Sequence, residues 1–288
     1  MILGIDPIVD FAFKRVFGDQ RNADILIHLL NAILKLAVPI VSIEILNPFN
    51  DKDFSEDKLT VLDVKARDQA GRLLHIEVQI LLPQHFRARV LYYWALLYRQ
   101  QLGEGDPYGQ LRPTITICLL NQKLFPKVED YHLCFALYNM EHGLCFSDHM
   151  QIHVLELPKF TRRLDELRDD QDKWTYFFQH AETMDPDELP EPFREPVYQR
   201  ATRELQMLTK DAALRERYES RQKAIRDQMS LLEDAREEGR EQGVLIGRVQ
   251  LCQQILNRPV TPEEELLTLS IEELRQRAES MTAEFRGR

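Results

Sequence analysis

The chain has 288 residues, 44% of them hydrophobic and 29% charged, which is a soluble composition with enough length for one sizeable core and an appendage. Its formal net charge of −10 excludes a surface coated in basic groups but leaves room for a local basic groove that could hold nucleic acid. No apolar run nears the roughly 18 residues that span a bilayer, and the start Met-Ile-Leu-Gly-Ile-Asp lacks the features of a signal peptide. A cytoplasmic protein with no membrane partner is therefore expected. Cys118, Cys134, Cys145 and Cys252 lack paired zinc-type spacing, so free thiols are expected rather than disulfides or a zinc site.

In chain order, Phe13, Phe17, Ile25, Leu29, Ile33 and Leu36 recur at helical spacing, interrupted by Gly18, Asp19 and Gln20, which predicts two helices and a short turn. Residues 39–46 (PIVSIEIL) read as a strand and 47–57 as the loop after it. The stretch 61–80 (VLDVKARDQAGRLLHIEVQI) reads as a hairpin. In its second arm Leu74, Ile76, Val78 and Ile80 alternate with His75, Glu77 and Gln79, a strand with two unlike faces. Residues 86–102 predict a helix ended by Gly103 and Gly105, and 112–120, 131–140 and 150–157 predict further strands.

This order of elements predicts an α/β sheet flanked by helices over 1–160. Amphipathic helical segments over 161–235 follow, then a tail over 236–288. In the tail Gly239, Gly243 and Gly247 stand four apart inside a helical pattern, at a cost of roughly 1 kcal/mol each relative to Ala. Close packing against another helix would offset that cost; a frayed segment is the alternative. Thr261-Pro262-Glu263-Glu264 and Ser270-Ile271-Glu272-Glu273 supply capping signals for two short closing helices.

The hairpin register follows from its turn. With Gln69-Ala70-Gly71 as a three-residue loop and Gly71 in the left-handed conformation, Asp68 faces Arg72, Lys65 faces His75, Asp63 faces Glu77 and Val61 faces Gln79. One face then carries Asp63, Lys65, His75, Glu77 and Gln79, and the other carries Leu62, Val64, Leu74, Ile76 and Val78. A two-residue loop would split the acids between faces. Carboxylates with Cβ atoms roughly 5 Å apart need a cation. Lys65 is one candidate. A divalent ion of the Mg²⁺ type, which takes hard oxygen ligands and keeps positions for water and phosphate, is the other.

Asp63, thirteen intervening residues, then Glu77-Val78-Gln79, between two helices, resembles the active-site hairpin of the PD-(D/E)XK nuclease superfamily. More narrowly, DFAFKRVFG at 10–18, LLNAILKL at 29–36, LDV at 62–64, HIEVQ at 75–79, FRARVLYYWALLYRQQLGEGDPY at 86–108, RPTITICLL at 112–120 and the glycine-spaced tail resemble its recombination-promoting nuclease or transposase family. The resemblance implies an endonuclease-like α/β core, a mixed sheet flanked by helices, with a helical C-terminal extension. It makes Asp63 and Glu77 metal ligands together with the Val78 carbonyl, for Mg²⁺ or Mn²⁺. Gln79 stands where the superfamily motif has lysine; it can hydrogen-bond a water but brings no charge, and Lys65 is a candidate replacement. Asp10 falls where members often carry an auxiliary acid, with Lys14 one turn on; a helix-surface ion pair is the alternative reading of that pair.

Arg87, Arg89, Arg99, Arg112, Lys123 and Lys127 make the segment after the hairpin locally basic, interleaved with aromatics whose helical spacing first suggests a core stripe. Arg89 and Lys14 are the candidate phosphate contacts. The expected function is metal-dependent hydrolysis of DNA by a homo-oligomer, such as a dimer formed through the C-terminal helices, in recombination or mobile-element biology. The rivals are a nuclease fold that binds DNA without cutting it and an assembly module built on the tail.

Overall fold

A computed structural model of the chain describes residues 2–49 and 64–286. Asp63, Val61, Leu62 and most of the loop expected over 47–57 lie outside the described residues. Helices α1 (Asp10–Phe17) and α2 (Ala23–Leu34) open the fold. Between them the Asp19 carboxylate accepts the Arg21 amide at 2.9 Å and starts a 3-10 turn that leads into α2. Strand β1 (Ile43–Ile45) is shorter than expected. The Gln20 side chain takes up the Ile43 carbonyl at 3.0 Å and the Ile45 amide at 2.9 Å, satisfying backbone groups on the outer edge of the sheet.

Strands β2 (Val64–Asp68) and β3 (Leu73–Gln79) form the predicted hairpin. Gly71 has φ +78, and the Asp68 carboxylate accepts the amides of Ala70 and Arg72, each at 2.9 Å. Val64 consequently pairs with Ile76 and Lys65 with His75, the register of a three-residue loop. Helix α3 (Phe86–Arg99) connects to β4 (Thr114–Leu120), which runs parallel to β3 and is buried at every residue. Strand β5 (His132–Tyr138) returns antiparallel to β6 (Cys145–Glu156), and β6 lies parallel to β4. The mixed sheet has the order β1-β2-β3-β4-β6-β5. β6 begins five residues before the expected 150. Ser147 and Asp148 are weak strand formers, and there the ladder with β5 shifts register before it regularises.

Helices cover both faces of the sheet. Under α3, Phe86 and Val90 pack with Cys118, Leu120, Ile152 and Val154. Leu74, Ile76, Ile115 and Ile117 alternate to the other face and are fully buried. Helices α4 (Asp170–His180) and α5 (Pro196–Lys210) pack with α1 and α2, and α1 touches β3. An aromatic cluster joins this layer: Phe13 stacks on Phe17 at 4.5 Å and Trp174 lies 4.6 Å from Tyr198, centroid to centroid. Of the helical extension expected over 161–235, α4 and α5 thus pack in the same layer as the first two helices.

Two compact units are distinguished, 1–222 and 223–288. Helix α6 (Ala212–Ile255) is continuous through Gly239, Gly243 and Gly247, and α7 (Glu263–Leu266) and α8 (Ile271–Arg286) follow. Within the second unit Leu245, Ile246 and Val249 pack with Leu266, Leu274 and Ala278. Ser270 and Glu273 form the expected capping box, the Ser270 amide donating to Glu273 at 2.8 Å and the Glu273 amide to Ser270 Oγ at 3.3 Å. The glycines do not serve close packing among the described residues: a Cβ at any of the three would meet nothing within 4 Å.

His153 of β6 is buried with its Nδ1 2.9 Å from His132 Nε2. Burial, then the neighbouring His132, lowers its pKa to about 4. Between the ordinary histidine value and about pH 4 the unfolded chain takes up a proton that the native state refuses, so stability falls as pH falls through this window. Going from pH 7 to pH 5, His153→Gln is expected to remove about 2 kcal/mol of that loss, measured as the difference in urea midpoints. An unchanged pH dependence would show that His153 protonates freely in the fold.

Candidate active site

Strand alternation sends His75, Glu77 and Gln79 to the face beneath α3, in the same row as Thr116 and Cys118 of β4. Glu77 is only 8% exposed. A carboxylate held there needs hydrogen bonds and a positive partner. Gln79 Nε2 donates to Glu77 Oε1 at 2.6 Å, and Arg89 Nη2 donates to the same oxygen. His75 Nε2 stands 3.6 Å from Oε2, beyond a hydrogen bond. The Cys118 thiol is pushed well above its usual value by burial first and by Glu77 second, which makes it inert.

Arg89 reaches Glu77 because of where α3 begins. His85, in the left-handed region at φ 60, turns the chain into the helix, and the Arg89 amide donates to the His85 carbonyl at 3.1 Å. Arg89 therefore projects from the first turn over the end of β3. Its pairing is one-toothed, since Arg89 Nε is buried without a hydrogen-bond partner. Thr116 Oγ1, on β4 opposite His75, is also buried and unpaired. The aromatics of α3 form less of a core stripe than their spacing suggests: Phe86 is buried, whereas Tyr92 is 65% exposed.

Gln79 accepts the Asn121 amide and Leu73 donates to the Pro113 carbonyl, so the odd residues of β3 direct their backbone groups to β4. By alternation the Val78 carbonyl points the other way, past the described end of β2. Lys65 is half-buried opposite His75. Lys14 is buried on α1. Asp10 does not pair with Lys14 in a surface i, i+4 bridge: Arg221 of α6 grips it from Nε at 2.8 and 2.9 Å and from Nη2, and Asp10 Oδ1 also accepts the Phe11 amide at 2.8 Å. The structure thus brings together Glu77, Val78, Gln79 and Arg89 and turns Asp10 toward a different arginine. Both arginine pairings link residues remote in sequence, which no helical or strand spacing signals.

A family model described as PD-(D/E)XK nuclease family transposase matches residues 7–235. The chain belongs to this family. No curated protein and no solved structure matches it. The mixed six-stranded sheet flanked by helices is consistent with a PD-(D/E)XK-like fold. PD-(D/E)XK nucleases generally use divalent metals, and among the described residues the buried Glu77 carboxylate offers the hard oxygen donor that such an ion takes.

A second group of potential ligands, His28, Asp170 and Glu195, has donor atoms all within 4.8 Å of one another. Its hydrogen bonds argue against a metal. Trp174 Nε1 donates to His28 Nδ1 at 2.9 Å, and an indole N–H can only donate, so in the neutral ring the proton sits on Nε2, which faces Asp170 at 3.6 Å. A metal-ligating histidine shows the reverse, its second nitrogen donating. Lys173 already neutralises Asp170 at 3.1 Å and Glu195 at 2.6 Å. This cluster is a polar joint between α2, α4 and the start of α5.

Removing the Glu77 charge strands Arg89. Glu77→Ala is expected to lower stability in EDTA by about 1–2 kcal/mol, and Arg89→Ala is expected to cost about 1 kcal/mol less in that background than in the parent. A double-mutant cycle by urea denaturation measures this. Additive costs would dissolve the pair.

Proposed function

We propose that this family member is a divalent-metal-dependent endonuclease that hydrolyses phosphodiester bonds in DNA, with Glu77, the Val78 carbonyl and Asp63 holding Mg²⁺ or Mn²⁺. The observation that carries the reading is a buried glutamate on the β2–β3 hairpin, in the register that faces residue 77 toward the start of β2, inside a chain matched over 7–235 by a nuclease family. A divalent ion there would supply Lewis-acid stabilisation of phosphate charge and lower the pKa of a bound water.

The chain's own residues do the positioning. Gln79 donates its amide hydrogen to Glu77 and keeps the carboxylate oriented, leaving its carbonyl oxygen to accept a hydrogen bond from a water. Lys65, across the hairpin, supplies the positive charge that Gln79 lacks. Arg87, Lys123 and Lys127 are exposed and neutralise backbone phosphates, with Arg89 at the end of β3, whereas Lys14 is buried on α1. Asp10, held by Arg221, fixes the start of α1 rather than binding metal. Association of copies is assigned to α6, which exposes Val244, Leu251 and Ile255. Among the described residues, no helix is long and apolar enough to cross a membrane.

One observation favours the non-cleaving reading. Glu77 Oε1 already holds two donors, Gln79 and Arg89, and the motif lysine is absent. Cleavage of supercoiled plasmid separates the two. With Mg²⁺ or Mn²⁺ the folded protein is expected to nick DNA, and nicking is expected to vanish in EDTA and to fall at least a hundredfold in Glu77→Gln. A folded protein that retards DNA but cuts it under neither metal would establish the binding role instead.

A further inference from the structure

We propose that Arg89 is a positioning residue that exchanges partners: it holds Glu77 while no metal is bound and yields the same carboxylate oxygen when a divalent cation arrives. The inference rests on the metal-site reading above. Three features of the structure carry it.

The first is position. Of the two Glu77 oxygens, Oε1 receives both Arg89 Nη2 and Gln79 Nε2, which leaves little lone-pair capacity on that atom for a cation. A guanidinium and a divalent ion at one carboxylate oxygen also repel each other. The second is imperfection. An arginine built as a permanent structural partner offers a two-pronged fork, whereas Arg89 uses Nη2 alone and leaves Nε buried and unpaired. That unpaired donor weakens the resting arrangement and eases release. The third is freedom to leave. The Arg89 side chain is 38% exposed, against 11% for the Glu77 side chain it covers, so the guanidinium can swing outward from α3 while Glu77 stays in the sheet. Released at the mouth of the hairpin, it is placed to take a phosphate oxygen, a partner that supplies two acceptors to the fork. Gln79 can stay on Glu77 in both states because it carries no charge.

The consequence is a metal affinity lowered by the fraction of molecules in which Arg89 occupies Glu77. Binding of Mn²⁺ is measured by isothermal titration calorimetry on the full-length protein without DNA, in the parent, Arg89→Met, Arg89→Lys and Glu77→Gln, each first shown to be folded by circular dichroism. Arg89→Met keeps the length of the side chain and removes its charge, so it is expected to bind Mn²⁺ about tenfold tighter, equivalent to about 1.4 kcal/mol. Arg89→Lys, a point charge without the fork, is expected to fall between the two and stands in if Arg89→Met does not fold. Glu77→Gln is expected to abolish binding. Equal or weaker binding by both Arg89 variants, with binding still lost in Glu77→Gln, would overturn the exchange and leave the metal site standing. Absence of Mn²⁺ binding in every variant would overturn both. Binding that survives Glu77→Gln would place the ion elsewhere and would also overturn both.

Discussion

A carboxylate placed inside a sheet beneath a helix cannot stand alone, and much of the arrangement around β3 answers to Glu77. Leaving it there without hydrogen bonds or a cation would cost several kcal/mol. Gln79 on the same strand and Arg89 on the next helix both meet Oε1, so the strand, the left-handed entry to α3 at His85 and the first turn of that helix act as one unit. The row of side chains that continues from Glu77 into Cys118 and Val154 is otherwise apolar. It makes the low-dielectric floor on which a single charge has large effects.

What fixes Glu77 on that face is a turn some distance away. Gly71 at φ +78 and the Asp68 carboxylate, which receives two backbone amides, set the loop at three residues. A slip of one residue would turn Glu77 into the face occupied by Ile76 and Ile117 and send leucines outward. The aromatic layer of α1, α4 and α5 on that other face, with Phe13, Phe17 and Trp174 fully buried, is largely apolar, and a carboxylate turned toward it would lose the Arg89 hydrogen bond that holds Glu77. Register, burial and site chemistry therefore rest on one short loop.

The parts of the fold legible in the sequence are those set by local period or local turn chemistry. The alternation of Leu74, Ile76 and Val78 with His75, Glu77 and Gln79 gave the strand, and Gly71 gave its pairing. The break at Gly18 and Asp19 separated the first two helices. Residues joined only in space were not legible. The hold of Arg89 on Glu77 gave no signal because its partner, twelve residues back, is on another element. Asp10 offered only Lys14 as a partner in the sequence, because Arg221 is 211 residues away. The glycines of α6 suggested a tight helix contact, yet their face meets open space among the described residues, and the packing of α8 uses Leu245, Ile246 and Val249 instead.

The central claim is that Glu77 is the anchor of a divalent-metal site that Arg89 guards. Anomalous diffraction from crystals soaked in Mn²⁺ tests it most directly. The account predicts a manganese peak about 2 Å from a Glu77 oxygen, with the Val78 carbonyl in its shell and the Arg89 guanidinium rotated away. A peak at His28, Asp170 and Glu195, or none with Arg89 still on Glu77 at saturating Mn²⁺, would contradict it.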